Sequence, residues 1–301
     1  MDAKETVRLA REKGIVIPAI NIPHIPVLKA VVQAVIDENS VAMIQVARVE
    51  WEKMSAGSLE RVAEEYQKCG NNNYTMLHLD HVPVIDEDML SVDYTSLIKR
   101  AITAGYQSVM IDGSRLPLEK NIEVTSEVVT MAHDAGLPCE AELGAVMGHE
   151  SGSMPPYEEI FASKQGFTSI EDARRFTAET GVDWLSIAAG NIHGAVAEAT
   201  RNEKKPEARL DIEHIARLYG AANVPLVLHG GSGIQNDYIR KAIKVGIAKI
   251  NVGTEVRQTY ETVILESGGD IEKARQSVYE KVRKIISSYY CITDSRTLLF
   301  G

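Results

Sequence analysis

Three histidines in this chain stand where burial would be costly without a purpose: His81 in HLDH, His193 in GNIHG and His229 in LHGGSG. Each lies at or just past the end of a short apolar run, beside Asp or Gly. Neutral imidazoles are zinc ligands, and three of them with an open fourth position make a catalytic site, not a closed structural one. Asp80, immediately ahead of His81, is open to three roles: metal ligand, partner of a ligand, or proton donor. Asp112 and Glu142 are candidates for orienting the ligands or for holding a second cation. Glu140 reads best as one half of a structural salt bridge. His24, His133 and His214 fall in loop or helix contexts and get no chemical role. His78 shares the face of Asp80 by the period of two and would pack beneath the site.

A second constellation is rich in glycine. The run from His229 through Gly230 and Ser232 leads from a strand into a helix, so backbone N–H groups would face the site at the positive end of a helix. That is a cradle for an anion such as phosphate. Taken alone, GGSG could be a tight turn. Asn251 and Thr254, in NVGT at the end of the next strand, strengthen the phosphate reading.

These residues need elements to bring them together. Short β-rich runs alternate with helical patterns, and strands are expected near Val16–Ile22, Ala42–Ala47, Tyr74–Asp80, Ser108–Asp112, Pro138–Leu143, Trp184–Ala188, Pro225–His229 and Ala248–Val252. Helical segments lie between them, several ending in Gly, the residue favoured just past a helix C-terminus. Eight strands, each followed by a helix, predict an α/β fold of the TIM (β/α)8 type, a single domain over residues 1–301. A doubly wound open sheet is the alternative, and the count of eight disfavours it. In such a barrel the active site occupies the C-terminal ends of the strands, and phosphate sites frequently use the loops after strands seven and eight. Asp80 and His81 alternate across their strand unless it has ended by His81, which Pro83 makes plausible. The long segment Ala145–Thr168 reads as a mobile lid, with plain disorder as the alternative. Two helical stretches, Glu255–Glu266 and Ile271–Tyr290, follow the last strand, the second an additional C-terminal helix available for subunit contacts.

Composition narrows the function. The chain has 301 residues, a formal net charge of −10 and a pI near 5.4, which argues against nucleic-acid binding. No apolar run approaches a membrane span. The N-terminal MDAKETVRLAREKG reads as an amphipathic helix, not a signal peptide. Cys69, Cys139 and Cys291 are scattered and odd in number, so a reducing cytoplasm is the expected compartment.

Read together and in order, HLDH, MIDGSRLPLEKNIEVT, EAELG, GNIHG, LVLHGGSGI and KINVGTE resemble the class II (zinc-dependent) ketose-bisphosphate aldolases, the family of fructose-bisphosphate and tagatose-bisphosphate aldolases. The resemblance spans nearly the whole chain. It implies retro-aldol cleavage of a phosphorylated ketose to dihydroxyacetone phosphate and an aldehyde. It implies that His81, His193 and His229 hold one Zn2+ per subunit, with Na+ or K+ as a further candidate ion. Asp80 then matches the acid/base for the aldehyde oxygen. Glu150, in GHES, falls where the family has the base that exchanges a proton with the enediolate carbon. Asn21, Gly194, Gly230, Ser232, Asn251 and Thr254 fall in the substrate- and phosphate-binding segments. Asp112 and Glu142 match acidic positions near the metal. A homodimer or homotetramer is the expected assembly.

The chain departs from the family pattern in places. HLDH is followed by Val82 and Pro83 where Gly is usual, and in the loop after strand two, QVARVEWE, Ala47 and Arg48 stand where many relatives have a serine and a glycine. Asn191 and Ile192 replace a pair of small residues, and Gly253 stands where fructose-bisphosphate members often carry Asp. These changes spare the metal set and cluster around the aldehyde half, so the acceptor end is expected to differ. Arg48 is a candidate for an anionic contact there, against the reading as an exposed surface arginine. A metal-dependent epimerase or isomerase using the same enediolate is the alternative enzyme class, and a non-catalytic sugar-phosphate-binding barrel the alternative outside catalysis.

Overall fold

The computed structural model describes residues 1–144, 157–191, 208–231 and 233–301. Eight parallel strands close into a barrel in sequence order: β1 (Ile17–Asn21), β2 (Ala42–Ala47), β3 (Thr75–Pro83), β4 (Ser108–Asp112), β5 (Cys139–Leu143), β6 (Trp184–Ile187), β7 (Leu226–Leu228) and β8 (Ile247–Val252). β8 pairs back onto β1, with Ala19 opposite Asn251. The expected TIM barrel is therefore what forms, and no sheet edge is left open.

Helices cover the outside. α1 (Ala3–Lys13) precedes β1, α2 (Val27–Asp37) follows it, and α3 (Arg48–Lys53) with α4 (Leu59–Cys69) follows β2. α5 (Tyr94–Ala104), α6 (Leu118–Asp134), α7 (Tyr157–Ser163), α8 (Ile170–Thr180), α9 (Ile212–Ala222), α10 (Asn236–Val245) and α11 (Thr254–Glu266) continue the ring. Their starts are written in the sequence: Ser58, Asp93, Ser169, Asp211 and Asp270 each cap a helix by accepting a backbone N–H three residues on. Such a cap contributes about 1 kcal/mol. Gly105 ends α5 at φ 89°, a conformation that costs other residues strain.

Alternation along the strands sorts the interior into two halves. Towards the N-terminal ends, Ile17, Met43, Met76, Trp184 and Val227 form an apolar plug with Val7 of α1 and Leu299. Towards the C-terminal ends the interior is polar: Asn21, Gln45, His78, Asp80, Glu140, Glu142, Ser186, Lys249 and Asn251 are all buried. Buried polar groups of this number need partners, and they partner one another.

Four local expectations are corrected. β3 does not end at Asp80 but runs to Pro83 through a β-bulge. Leu79 pairs with Val109 and Val82 with Ile111, so β3 carries one more residue than β4 over that stretch. His81 sits in the bulge at φ 21°. The segment after β2, expected as a loop, contains α3. Part of the Ala145–Thr168 segment is helical as α7, while residues 145–156 lie outside the described residues. The C-terminal stretch is broken into α12 (Ile271–Lys284), a π-helical turn (Ile285–Tyr290) and an unanticipated α13 (Ser295–Phe300). α12 is not a free appendage: Val278 and Val282 are buried, and Tyr279 and Arg283 bond Asp37 and Glu38 beside α2. No helix among the described residues is long and apolar enough to cross a membrane.

Candidate active site

The bulge in β3 decides how Asp80 and His81 can share one site. In a regular strand they would point to opposite faces. The extra residue, with His81 at positive φ, turns both into the barrel mouth. A β-branched residue would be strained at this φ, so the local conformation suits histidine.

His81 Nδ1 lies 3.3 Å from Asp112 Oδ2, and its Nε2 lies 4.0 Å from Glu142 Oε2. The ring of His229 meets it edge-on, centroid to centroid 4.4 Å. His229 is wholly buried, with Nε2 2.7 Å from Glu140 Oε1 and Nδ1 3.0 Å from Glu142 Oε2. Asp80, His81 and His229 offer ligand atoms all within 4.8 Å of one another, and so do His81, Asp112 and Glu142.

The electrostatics of this cluster favour a cation. Burial alone would lower the basicity of His81, but Asp80, Asp112 and Glu142 overcome it and raise its pKa to about 10. For His229, burial and His81 push down, and Glu140 and Glu142 outweigh them. Both imidazoles thus stand among carboxylates that stabilise positive charge, and a divalent ion supplies that charge while displacing protons. The residues present fit a metal held by two imidazoles with carboxylates in reach, which is the donor chemistry of zinc.

Glu140 makes the salt bridge expected of it, with Lys249 Nζ at 2.9 Å, but it also holds His229 and accepts the indole N–H of Trp184 at 2.6 Å. Burial would raise its pKa, and Lys249 with His229 drives it well below the carboxylate range. His78 lies beneath, as anticipated: Nδ1 is 2.8 Å from Ser108 Oγ, and burial followed by Lys249 lowers its pKa to about 3, so it is neutral. A carboxylate behind a metal-ligating histidine fixes its tautomer and basicity. Glu140→Gln is expected to weaken metal binding by about 10- to 100-fold, measured by competition against a chromogenic chelator. Unchanged affinity would separate Glu140 from the metal site.

Asp80 accepts from Asn21 Nδ2 at 2.9 Å, Gln45 Nε2 at 3.1 Å and Asn251 Nδ2 at 2.9 Å. Burial would raise its pKa, but His81, His229 and Lys249 bring it down to about 2. A fully ionised carboxylate is therefore aimed at the cavity by three amide donors. Gln45 and Lys249 were not singled out from sequence. Their signal was available: a polar residue at an inward position of an otherwise apolar strand.

These groups open into a cavity whose lining includes Gly230, Asn251, Gly253, Thr254 and Arg257. A Cβ on Gly231 would come within 2.4 Å of Ile250 Cγ2 and 3.0 Å of Asn251 O, which is why that turn needs glycine. α11 starts at Thr254, itself a lining residue, and the first N–H groups of a helix have no partner within it. Arg257, one turn in, is buried and pairs with Glu261 at 2.9 Å. The lining also includes Arg48, Glu50, Met54, Ile85 and Arg115. Arg48 is half-buried and bonds Asp86 Oδ2 at 3.2 Å, so it is not the exposed surface arginine. Arg257 and Glu50 escaped the sequence reading because charges in helices are ordinarily solvent-facing.

His193, Gly194, Glu150 and Ser232 lie outside the described residues. The remaining candidates, Asn21, Asp80, His81, Asp112, Glu142, His229, Gly230, Asn251 and Thr254, all meet at the barrel mouth. His24, His133 and His214 have partners of their own in Glu261, Asp183 and the Thr168 carbonyl.

A closed (β/α)8 barrel with an imidazole–carboxylate cluster at its mouth and glycine turns beside it defines a metal-dependent barrel enzyme. The model of the class-II fructose-bisphosphate aldolase family matches residues 1–296, and the chain belongs to that family. It is a class II aldolase, a carbon–carbon lyase. The fructose-bisphosphate aldolases of Streptococcus pneumoniae serotype 4 and Streptococcus pyogenes serotype M1 are each 32% identical over 93% of this chain and 87% of their own length. Among solved structures, the YdjI aldolase of Escherichia coli K12 superposes with a TM-score of 0.75 at 27% identity, covering 97% of both chains. The fructose-bisphosphate aldolase of Campylobacter jejuni, at 19% identity and a TM-score of 0.72 over 96% of this chain and 94% of its own, shows the fold alone.

Proposed function

We propose that the enzyme cleaves a ketose phosphate reversibly into dihydroxyacetone phosphate and an aldehyde, and that Zn2+ is its metal. The observation that carries this reading is the bulge-driven convergence of Asp80, His81 and His229 beside the β7 and β8 turns. His81 and His229, with His193 outside the described residues, would hold the ion. Asp112 and Glu142 orient it or take a second cation, and Na+ or K+ is a further candidate. Zinc held there supplies Lewis-acid polarisation of the carbonyl and stabilises the negative charge that follows bond cleavage.

The residues of the chain do the rest. In cleavage, Asp80 takes the proton of the C4 hydroxyl as the C3–C4 bond breaks, and in condensation it returns that proton to the aldehyde oxygen. Asn21, Gln45 and Asn251 hold its carboxylate in one orientation, so the transfer needs no rearrangement. Glu150 is proposed for the proton at C3. Gly230, Thr254 and Arg257, with Gly194 and Ser232, bind the phosphate of the dihydroxyacetone half and anchor the reacting carbons.

Cytoplasmic action on a small phosphorylated sugar, as a single-domain homodimer or homotetramer, completes the proposal. The acidic chain supports no role with nucleic acid. The test is incubation of the zinc-loaded protein with fructose 1,6-bisphosphate and other ketose phosphates, following dihydroxyacetone phosphate. Its release is expected; formation of an epimer alone would replace the aldolase reading with an epimerase. Arg257→Ala is expected to raise KM for dihydroxyacetone phosphate in condensation by about tenfold or more, as loss of a charged hydrogen bond does. An unchanged KM would remove Arg257 from the phosphate pocket.

A further inference from the structure

One carboxyl in the cavity has no part in the chemistry above. Glu50, in the first turn of α3, lines the cavity and is 5% exposed. Its Oε2 accepts the Ala47 N–H at 2.8 Å and Asn21 Nδ2–H at 3.3 Å. The same Asn21 amide donates to Asp80 Oδ2 at 2.9 Å. Two carboxyl groups therefore share one amide nitrogen, one of them the group that serves the aldehyde oxygen. They differ in state. Burial raises the Glu50 pKa to about 8, with the charge of Asp80 adding to it against the Ala47 N–H bond, while Asp80 stays ionised. Glu50 is therefore largely protonated at neutral pH and has a proton to donate. The charged groups that act on it are Asp80 and His81 on β3.

Position then suggests what it touches. The phosphate pocket is assigned to the β7 and β8 turns, whereas Glu50 enters the same cavity from the segment after β2, with Arg48 and Met54. With the aldehyde oxygen at Asp80, the next carbon of the aldehyde half comes within reach of Glu50, because the two carboxyls share the Asn21 amide and line one cavity. We propose that Glu50 is a specificity-determining residue that hydrogen-bonds the hydroxyl on the carbon next to the reacting carbonyl, favouring 2-hydroxyaldehydes over their 2-deoxy counterparts. This rests on the aldolase reading and on Asp80 serving the aldehyde oxygen. A site built to bond a hydroxyl discriminates against analogues lacking it, because its polar group is left unpaired.

The competing role for Glu50 is only to cap α3 through the Ala47 N–H, and the test separates the two. Condensation of dihydroxyacetone phosphate with glycolaldehyde and with acetaldehyde is measured for the zinc-loaded wild type, Glu50→Ala and Glu50→Gln. In Glu50→Ala the ratio of kcat/KM for glycolaldehyde over acetaldehyde is expected to fall about tenfold. The loss is expected in KM for glycolaldehyde, with KM for dihydroxyacetone phosphate moving less than about twofold. Glu50→Gln keeps an acceptor for Ala47 and a donor for the substrate, so it should recover most of the ratio. A cap role alone lowers both aldehydes by one factor and leaves the ratio intact, which overturns the proposal. If the wild type condenses neither aldehyde, nor any longer one, with dihydroxyacetone phosphate, the aldolase substrate reading itself fails.

Discussion

His229→Ala is expected to empty the metal site: about one zinc per chain in the wild type should fall to a trace after dialysis, read by atomic absorption. Activity should fall by about 10³-fold or more, since a bound cation contributes several kcal/mol of charge stabilisation and each 1.4 kcal/mol is tenfold. The reason for the severity is local. Among the described residues His229 is the most deeply buried ligand candidate, held by Glu140 and facing Glu142. Removing the ring also takes from Glu140 a partner at 2.7 Å, leaving it Lys249, Trp184 and the more distant His78. Retention of stoichiometric zinc in the variant would take His229 out of the ligand set.

The second large effect separates chemistry from metal binding. Asp80→Ala should retain zinc and yet lose about 10²- to 10⁴-fold in kcat, the range of a positioned acid or base. KM for the phosphorylated half should change little if, as proposed, Asp80 serves the aldehyde oxygen and the phosphate is held by the glycine turns. Asp80→Asn tests the same idea with the shape preserved: it keeps a side chain of the same size for Asn21, Gln45 and Asn251 but cannot take a proton. Turnover near wild type in either variant would refute proton transfer by Asp80. Loss of zinc in both would show that Asp80 is instead a ligand, as its place within 4.8 Å of the imidazole nitrogens allows.

Much of this was legible in the chain. Period-two alternation and capping residues predict strands and helices because they reflect backbone geometry over a few residues. Ala42–Ala47 and Ser108–Asp112 were expected with the bounds observed. His81 and His229 stood out because polar groups closing apolar runs are expensive to bury. Glu140 was half legible. Its salt bridge was anticipated, but its hold on His229 joins residues 89 positions apart, and no local pattern carries that.

What the sequence by itself determined is the alternation of eight strands with helices, the chemical types at the strand ends, and through both the barrel and its class of reaction. Tertiary structure alone decided the bulge that lets Asp80 and His81 face one cavity. It also decided the three amides that hold the Asp80 carboxylate, and the placing of Arg48 and Glu50 in the lining of the same cavity. The physical reason is range. Propensity, periodicity and capping act between neighbours in the chain, whereas burial, charge and hydrogen bonding act between whatever side chains closure of the barrel brings within a few ångströms.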